Sequence, residues 1–138
     1  MIPLLRILAG FVCSVFLVIQ PLRANILATT AVQYQLHPQD QIILFYQASL
    51  ADPCESNILN ALGDSYILMQ NPTMAAISYG NAMICSPGNS LMRFKYGEAL
   101  LRLGFNGVQN IKDALKLEPN NPIYNAELKN ITANNPTY

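Results

Sequence analysis

The chain of 138 residues has no tryptophan, one histidine and few charges. Charged residues make up 12%, about half the usual share of a globular protein. Eight acids and eight bases cancel. That balance lacks the basic stripe a phosphate backbone needs, so DNA and RNA are not expected partners. His37 stands alone ahead of Pro38, with no G-x-S-x-G and no Cys-His signature to recruit it. Acid–base pairs are missing too: Asp52 and Glu55 flank a turn, and Glu98 and Glu127 lie on ordinary helices. No glycine-rich phosphate loop occurs. Gly63, Gly88, Gly97, Gly104 and Gly107 read as packing or turn glycines. Two body cysteines without histidine partners do not make a zinc site. No catalytic residue, metal or cofactor is therefore expected, and the chain reads as a non-enzyme.

Apolar residues reach 51%, and part of that share sits at the start. Residues 1–6 are short and carry Arg6, residues 7–19 are an apolar run of 13, and residues 20–24 turn polar again. That layout resembles a secretory signal peptide over residues 1–24, with a run short for a membrane span of about 20 residues. Cleavage falls after Ala24, with Leu22 a poor fit at the −3 position; Ala28 and Ala31 are further options. Phe11 and Val12 are too large for a lipoprotein site at Cys13. The alternative is an uncleaved anchor in the inner membrane through residues 7–19, the one membrane contact expected. Either way the body is exported, to the periplasm or cell envelope. Without Arg6 and Arg23 the body keeps six bases against eight acids.

The body is organised by a repeat. Leu59, Leu62 and Tyr66 fall at i, i+3 and i+7, and Ala75, Tyr79 and Ala82 at i, i+4 and i+7. These are the apolar faces of two helices, with Gly63 leaving room for a close crossing. Pro87 ends the second helix. Phe45, Ala48 and Pro53 recur 34 residues later as Tyr79, Ala82 and Pro87, then 32 residues later as Ile111, Ala114 and Pro119. The two lost residues are expected around Phe105, Asn106 and Gly107, tightening that turn. Predicted helices cover 39–51, with a stripe of Ile42, Phe45, Tyr46, Ala48 and Ser49, then 57–70 capped by Ser56, 72–85, 90–103 and a second helix whose end runs from Asp113 to Pro119. Pro122 opens a half-polar last helix that ends near Ala133. Residues 25–37 are an arm or a degenerate helix, 38–133 the repeat domain, and 134–138 a tail.

Leu59, Leu62-Gly63, Tyr66, Ala75, Tyr79 and Pro87 follow the pattern W-x2-L-G-x2-Y, A-x3-F, P at the right spacing, with Leu59 for Trp and Tyr79 for Phe. This segment resembles a tetratricopeptide repeat. The resemblance covers about residues 39–133. It implies an all-α, right-handed solenoid of two to three helical hairpins plus a capping helix. It also implies a groove lined by the first helices, where a peptide or protein partner binds. The matching groove positions are Asn57, Asn60, Asp64 and Leu68, then Leu91, Phe94, Glu98, Leu101 and Arg102. Phe94 is either an apolar anchor or partly buried. Asn57, Asn60 and Asp64 stand where the carboxylate-clamp members carry bases, which argues against that mode.

Cys54 and Cys85 form an even pair in an exported chain. A bridge would contribute about 3–4 kcal/mol in the chain-entropy model. A repeat spacing of roughly 10 Å would put the pair out of reach, so bridge and free thiols both stand open. The expected function is a protein-interaction adaptor of the bacterial envelope, placed by analogy in secretion or pilus assembly. The alternative is a self-associating structural subunit.

Overall fold

The structure is a computed structural model that describes residues 2–33 and 37–134, with only the backbone course for residues 2–14, 16 and 134. The side chains of most of the apolar run 7–19, and the tail after residue 134, lie outside the described residues. All the elements described are helices. They fall into two compact units, Met1–Pro53 and Cys54–Tyr138.

The first unit is a pair of helices, α1 (Ile2–Gln33) and α2 (Pro38–Ala51). Helix α1 runs unbroken past Ala24 and includes residues 25–33. Thr29 and Thr30, poor helix formers, donate their hydroxyls to the carbonyls of Asn25 and Ile26. Ala24 and Ala31, seven residues apart, share one helix face, and both are buried, as are Phe45 and Ala48 of α2. Tyr46, expected in the α2 stripe, is exposed.

The second unit stacks α3 (Ser56–Leu68), α4 (Pro72–Cys85), α5 (Ser90–Arg102), α6 (Val108–Leu117) and α7 (Pro122–Asn134), each helix packed on the next. Asparagine starts most of them. Asn71, Asn89 and Asn121 accept backbone N–H bonds at the heads of α4, α5 and α7, and Asn106 does so for α6. Such caps contribute about 1 kcal/mol each. Ser56 is not a cap: Glu55 accepts from Asn57 N, and Ser56 is already helical.

Two helices end in the same double hydrogen bond. After α5, Phe105 N reaches Leu100 O and Gly104 N reaches Leu101 O, with Gly104 at φ +78°. After α3, Asn71 N reaches Tyr66 O and Gln70 N reaches Ile67 O, and here a glutamine holds the left-handed position at φ 54°. The shortened last repeat does not have the tighter turn expected. Residues 103–107 form a longer connection than residues 69–71. The loss is taken from the helix, since α6 has 10 residues where α4 has 14.

Close approach is set by glycines 17 residues apart, half the 34-residue period. A Cβ on Gly63 would lie 2.6 Å from Cδ1 of the Tyr79 ring, and one on Gly80 would lie 3.3 Å from Cε2 of Tyr96. A Cβ on Gly97 would lie 2.8 Å from the carbonyl oxygen of Gly107. Gly107 thus has a reason beyond helix propensity: two backbones touch there. Around these crossings lie three apolar clusters, centred on Leu59, Ala82 and Met92, on Ala75, Ala76, Tyr79 and Ala99, and on Phe94, Ile111, Ala114 and Tyr124.

Two substitutions of opposite sign test this reading by urea unfolding. Gly63→Leu should destabilise by about 1–3 kcal/mol through overpacking on Tyr79. Gln70→Gly should stabilise by about 0.5–1 kcal/mol by relieving the left-handed backbone cost.

Candidate protein-interaction face

The first helices of the hairpins, α3, α5 and α7, share one face of the second unit. Its centre is Asp64, whose two oxygens are almost fully used. Lys95 Nζ donates to both at 2.7 Å, Tyr79 Oη donates to Oδ1 at 2.6 Å, and Asn60 Nδ2 lies 3.5 Å from Oδ2. The Lys95 ammonium also lies 5.6 Å from the centre of the Tyr79 ring. Lys95 belongs to α5, Asp64 to α3 and Tyr79 to α4, so one carboxylate ties three helices together. Burial first, and then the bond to Asp64, pushes the Tyr79 hydroxyl above its usual range and keeps it a donor. Asn60 Oδ1 is buried with no hydrogen-bond partner among the described residues.

Beside this centre stands Glu98. Burial raises its pKa above the usual carboxylate range, and Glu127 of α7 raises it further. Arg102 and Lys95 oppose the rise, and Asp64 adds to it. Apolar side chains flank the polar strip. Leu68 is 66% exposed, Leu91 39% and Ile123 65%. Leu91 and Ile123 are the second residues of α5 and α7. Their neighbours Ser90 and Tyr124 bring their hydroxyl oxygens within 3.3 Å of each other, and Ser90 also donates to Glu118.

Of the residues expected to line a groove, Asn57, Asn60, Asp64, Leu68, Leu91, Glu98 and Arg102 are exposed or half-buried. Phe94 is not an available anchor. It is 5% exposed, stacked on Tyr124 with ring centres 4.4 Å apart, and packed with Ile111 and Ala114. The last helix lies over it and takes the ring into the core. Leu101 also packs against that cluster. Sequence reasoning missed Lys95, Tyr79 as a hydrogen-bond donor, and Ile123. The available signal was spacing: Lys95 lies four residues after Leu91, and Glu98 and Arg102 continue the same helical row.

His37 is exposed at the head of α2 and makes no side-chain cap bond. Among the described residues no group of His, Cys, Asp or Glu side chains could hold a metal ion. Cys54 and Cys85 are joined as a disulfide, with their Cα atoms 5.3 Å apart. The expected repeat spacing does not apply to them. Cys54 lies just before α3 and Cys85 in the last turn of α4, so they are the two ends of one antiparallel hairpin. Ser86 donates to Ser56 at 3.0 Å beside the bridge.

Solved structures share this architecture. The first tetratricopeptide domain of Spaghetti (RPAP3), bound to the HSP90 peptide SRMEEVD, is 20% identical with a TM-score of 0.76, over 82% of this chain and 93% of that one. The fold is that of a tetratricopeptide-repeat domain. The second such domain of human RPAP3, in complex with the HSP70 peptide SGPTIEEVD, is 19% identical with a TM-score of 0.73, over 84% and 98%. The Yersinia enterocolitica type III secretion chaperone SycD, with a peptide of the translocator YopD, is 21% identical with a TM-score of 0.66, over 79% and 86%. No family model and no curated protein matches the chain. The chain is thus an all-α, tetratricopeptide-like stack of helical hairpins whose structural neighbours hold peptides.

Phe94→Ala should lower the unfolding free energy by about 3–5 kcal/mol in urea titration, since a buried aromatic leaves a cavity. A second test uses pH. The raised pKa of Glu98 means the folded state binds its proton more tightly than the unfolded chain. That disfavours the fold once pH rises through the folded pKa. Glu98→Gln should therefore raise Tm at pH 7, with the gain vanishing below the ordinary glutamate pKa.

Proposed function

We propose that the protein is a non-catalytic adaptor of a bacterial cell envelope that captures a peptide or protein segment on the face of α3, α5 and α7. The observation that carries this reading is the composition of that face. A polar centre held by Asp64 is flanked by Leu68, Leu91 and Ile123, aliphatic side chains left exposed to solvent. Solved domains of the same fold hold peptides, which supports a segment as the ligand. The unsatisfied Asn60 Oδ1 supports it too, since a buried acceptor gains most from an incoming N–H or a water.

Export is supported by the leader-like start of the chain and by the Cys54–Cys85 disulfide, which persists in oxidising compartments. The proposed location is the periplasm, with anchoring through residues 7–19 as the alternative. Among the described residues no helix is long and apolar enough to cross a membrane. A role in secretion or pilus assembly is the finer reading; the likeness to a secretion chaperone holding a translocator peptide supports its first half.

One observation favours the second reading, self-association. Helix α4 carries no charge and exposes Met74, Ile77 and Ile84 along its outer side, whereas α6 places Lys112, Asp113 and Lys116 among its residues. Crosslinking capture from the native envelope separates the two. A Leu91→Asp, Ile123→Asp double variant with an unchanged circular dichroism spectrum should lose at least about tenfold of the captured partner. Equal capture would remove the face from the reading, and an Ile84→Asp variant that dissolves a wild-type dimer in light scattering would favour self-association.

A further inference from the structure

We infer that this face refuses acidic chain ends and takes a partner segment with aliphatic side chains and no carboxylate, because Asp64 already occupies Lys95. The inference rests on the reading of α3, α5 and α7 as the binding face, and it names the chemistry of the ligand.

The argument is one of charge and valence. Lys95 is the base nearest the centre of the face, and its ammonium is held by both oxygens of Asp64 at 2.7 Å. An incoming carboxylate would have to displace Asp64. Displacement would leave the Asp64 charge, and the donor of Tyr79, to find other partners in a half-buried setting. Asp64 thus takes the place on Lys95 that a ligand carboxylate would need. The remaining base, Arg102, lies in the field of Glu98, and Glu98 in that of Glu127. Two bases therefore face three acids, and the balance repels a second negative group.

Apart from the Asn60 acceptor, what the face offers freely is mainly apolar. Leu91 and Ile123 open α5 and α7 at equivalent places, beside the touching hydroxyls of Ser90 and Tyr124. A polyproline-II segment has three residues per turn, so its side chains at i and i+3 point the same way. Aliphatic side chains at two such positions would give Leu91 and Ile123 apolar partners on one side of the segment. The peptides SRMEEVD and SGPTIEEVD held by structural neighbours carry two glutamates and an aspartate at their ends, and they are the ligands that a filled cation should reject.

The test is fluorescence anisotropy with the intact chain and two labelled probes. One is SRMEEVD with a free carboxyl end. The other is an amidated, uncharged peptide with leucines three residues apart. Wild type should bind the uncharged probe at least tenfold more tightly than the acidic one. Asp64→Asn keeps an acceptor for Tyr79 and frees Lys95, so it should gain at least tenfold for the acidic probe. Adding Lys95→Met should abolish that gain. Equal binding of both probes by wild type, or an unchanged ratio in Asp64→Asn with a native thermal transition, would overturn the inference and leave the binding face standing. No binding of either probe by any variant would overturn the face and the inference together.

Discussion

How closely the helices can approach one another governs everything else in the second unit. At Gly63 and Gly80 a tyrosine ring from the next helix lies where a side chain would otherwise stand, and at Gly97 the backbone of the following helix does. Because the approach is close, Tyr79 on α4 can pass beneath α3 and reach Asp64 with its hydroxyl. Because Tyr79 holds Asp64, the carboxylate is fixed toward α5 and meets Lys95. The polar centre of the candidate face is thus a consequence of packing at a glycine. It is not an independent surface feature.

Much of the architecture could be read from the residues. The period from Phe45 through Tyr79 to Ile111 located three second helices, and Asn-Pro pairs at 71–72 and 121–122 located two helix starts. Apolar spacing and first-turn prolines are local signals, so they survive without a structure. The errors came where a residue's role depends on a neighbour. Phe94 sits at a groove position by spacing, but α7 folds over it and Tyr124 takes its ring. Repeat spacing left the Cys54–Cys85 bridge open, but Cys54 opens the α3–α4 hairpin and faces Cys85 at its other end. Gln70 shows no sign in sequence of the left-handed backbone it holds.

The polar residues divide into two groups by what they satisfy. Asn71, Asn89, Asn106 and Asn121 serve backbone N–H groups at helix heads. Arg93 and Asn125 do a matching job in successive units, donating to the carbonyls of Pro87 and Pro119 six residues earlier. Arg93 replaces an apolar contact by two hydrogen bonds, so the loss of the leucine found at the same place in α3 is offset. Asp64, Lys95 and Tyr79 form the second group. They serve one another across helices, and the large side chains exposed beside them are aliphatic.

The bridge between Cys54 and Cys85 fastens the open end of the α3–α4 hairpin, whose other end is the tight turn at residues 69–71. A hairpin closed at both ends cannot splay. Any breathing of the stack that widens or narrows the face must therefore occur at a seam between hairpins. The seam between α4 and α5 is crossed by the Asp64–Lys95 pair and by the Tyr96 ring over Gly80. The ion pair at the centre of the candidate face thereby also fastens the α3–α4 hairpin to α5 across the seam next to the bridge.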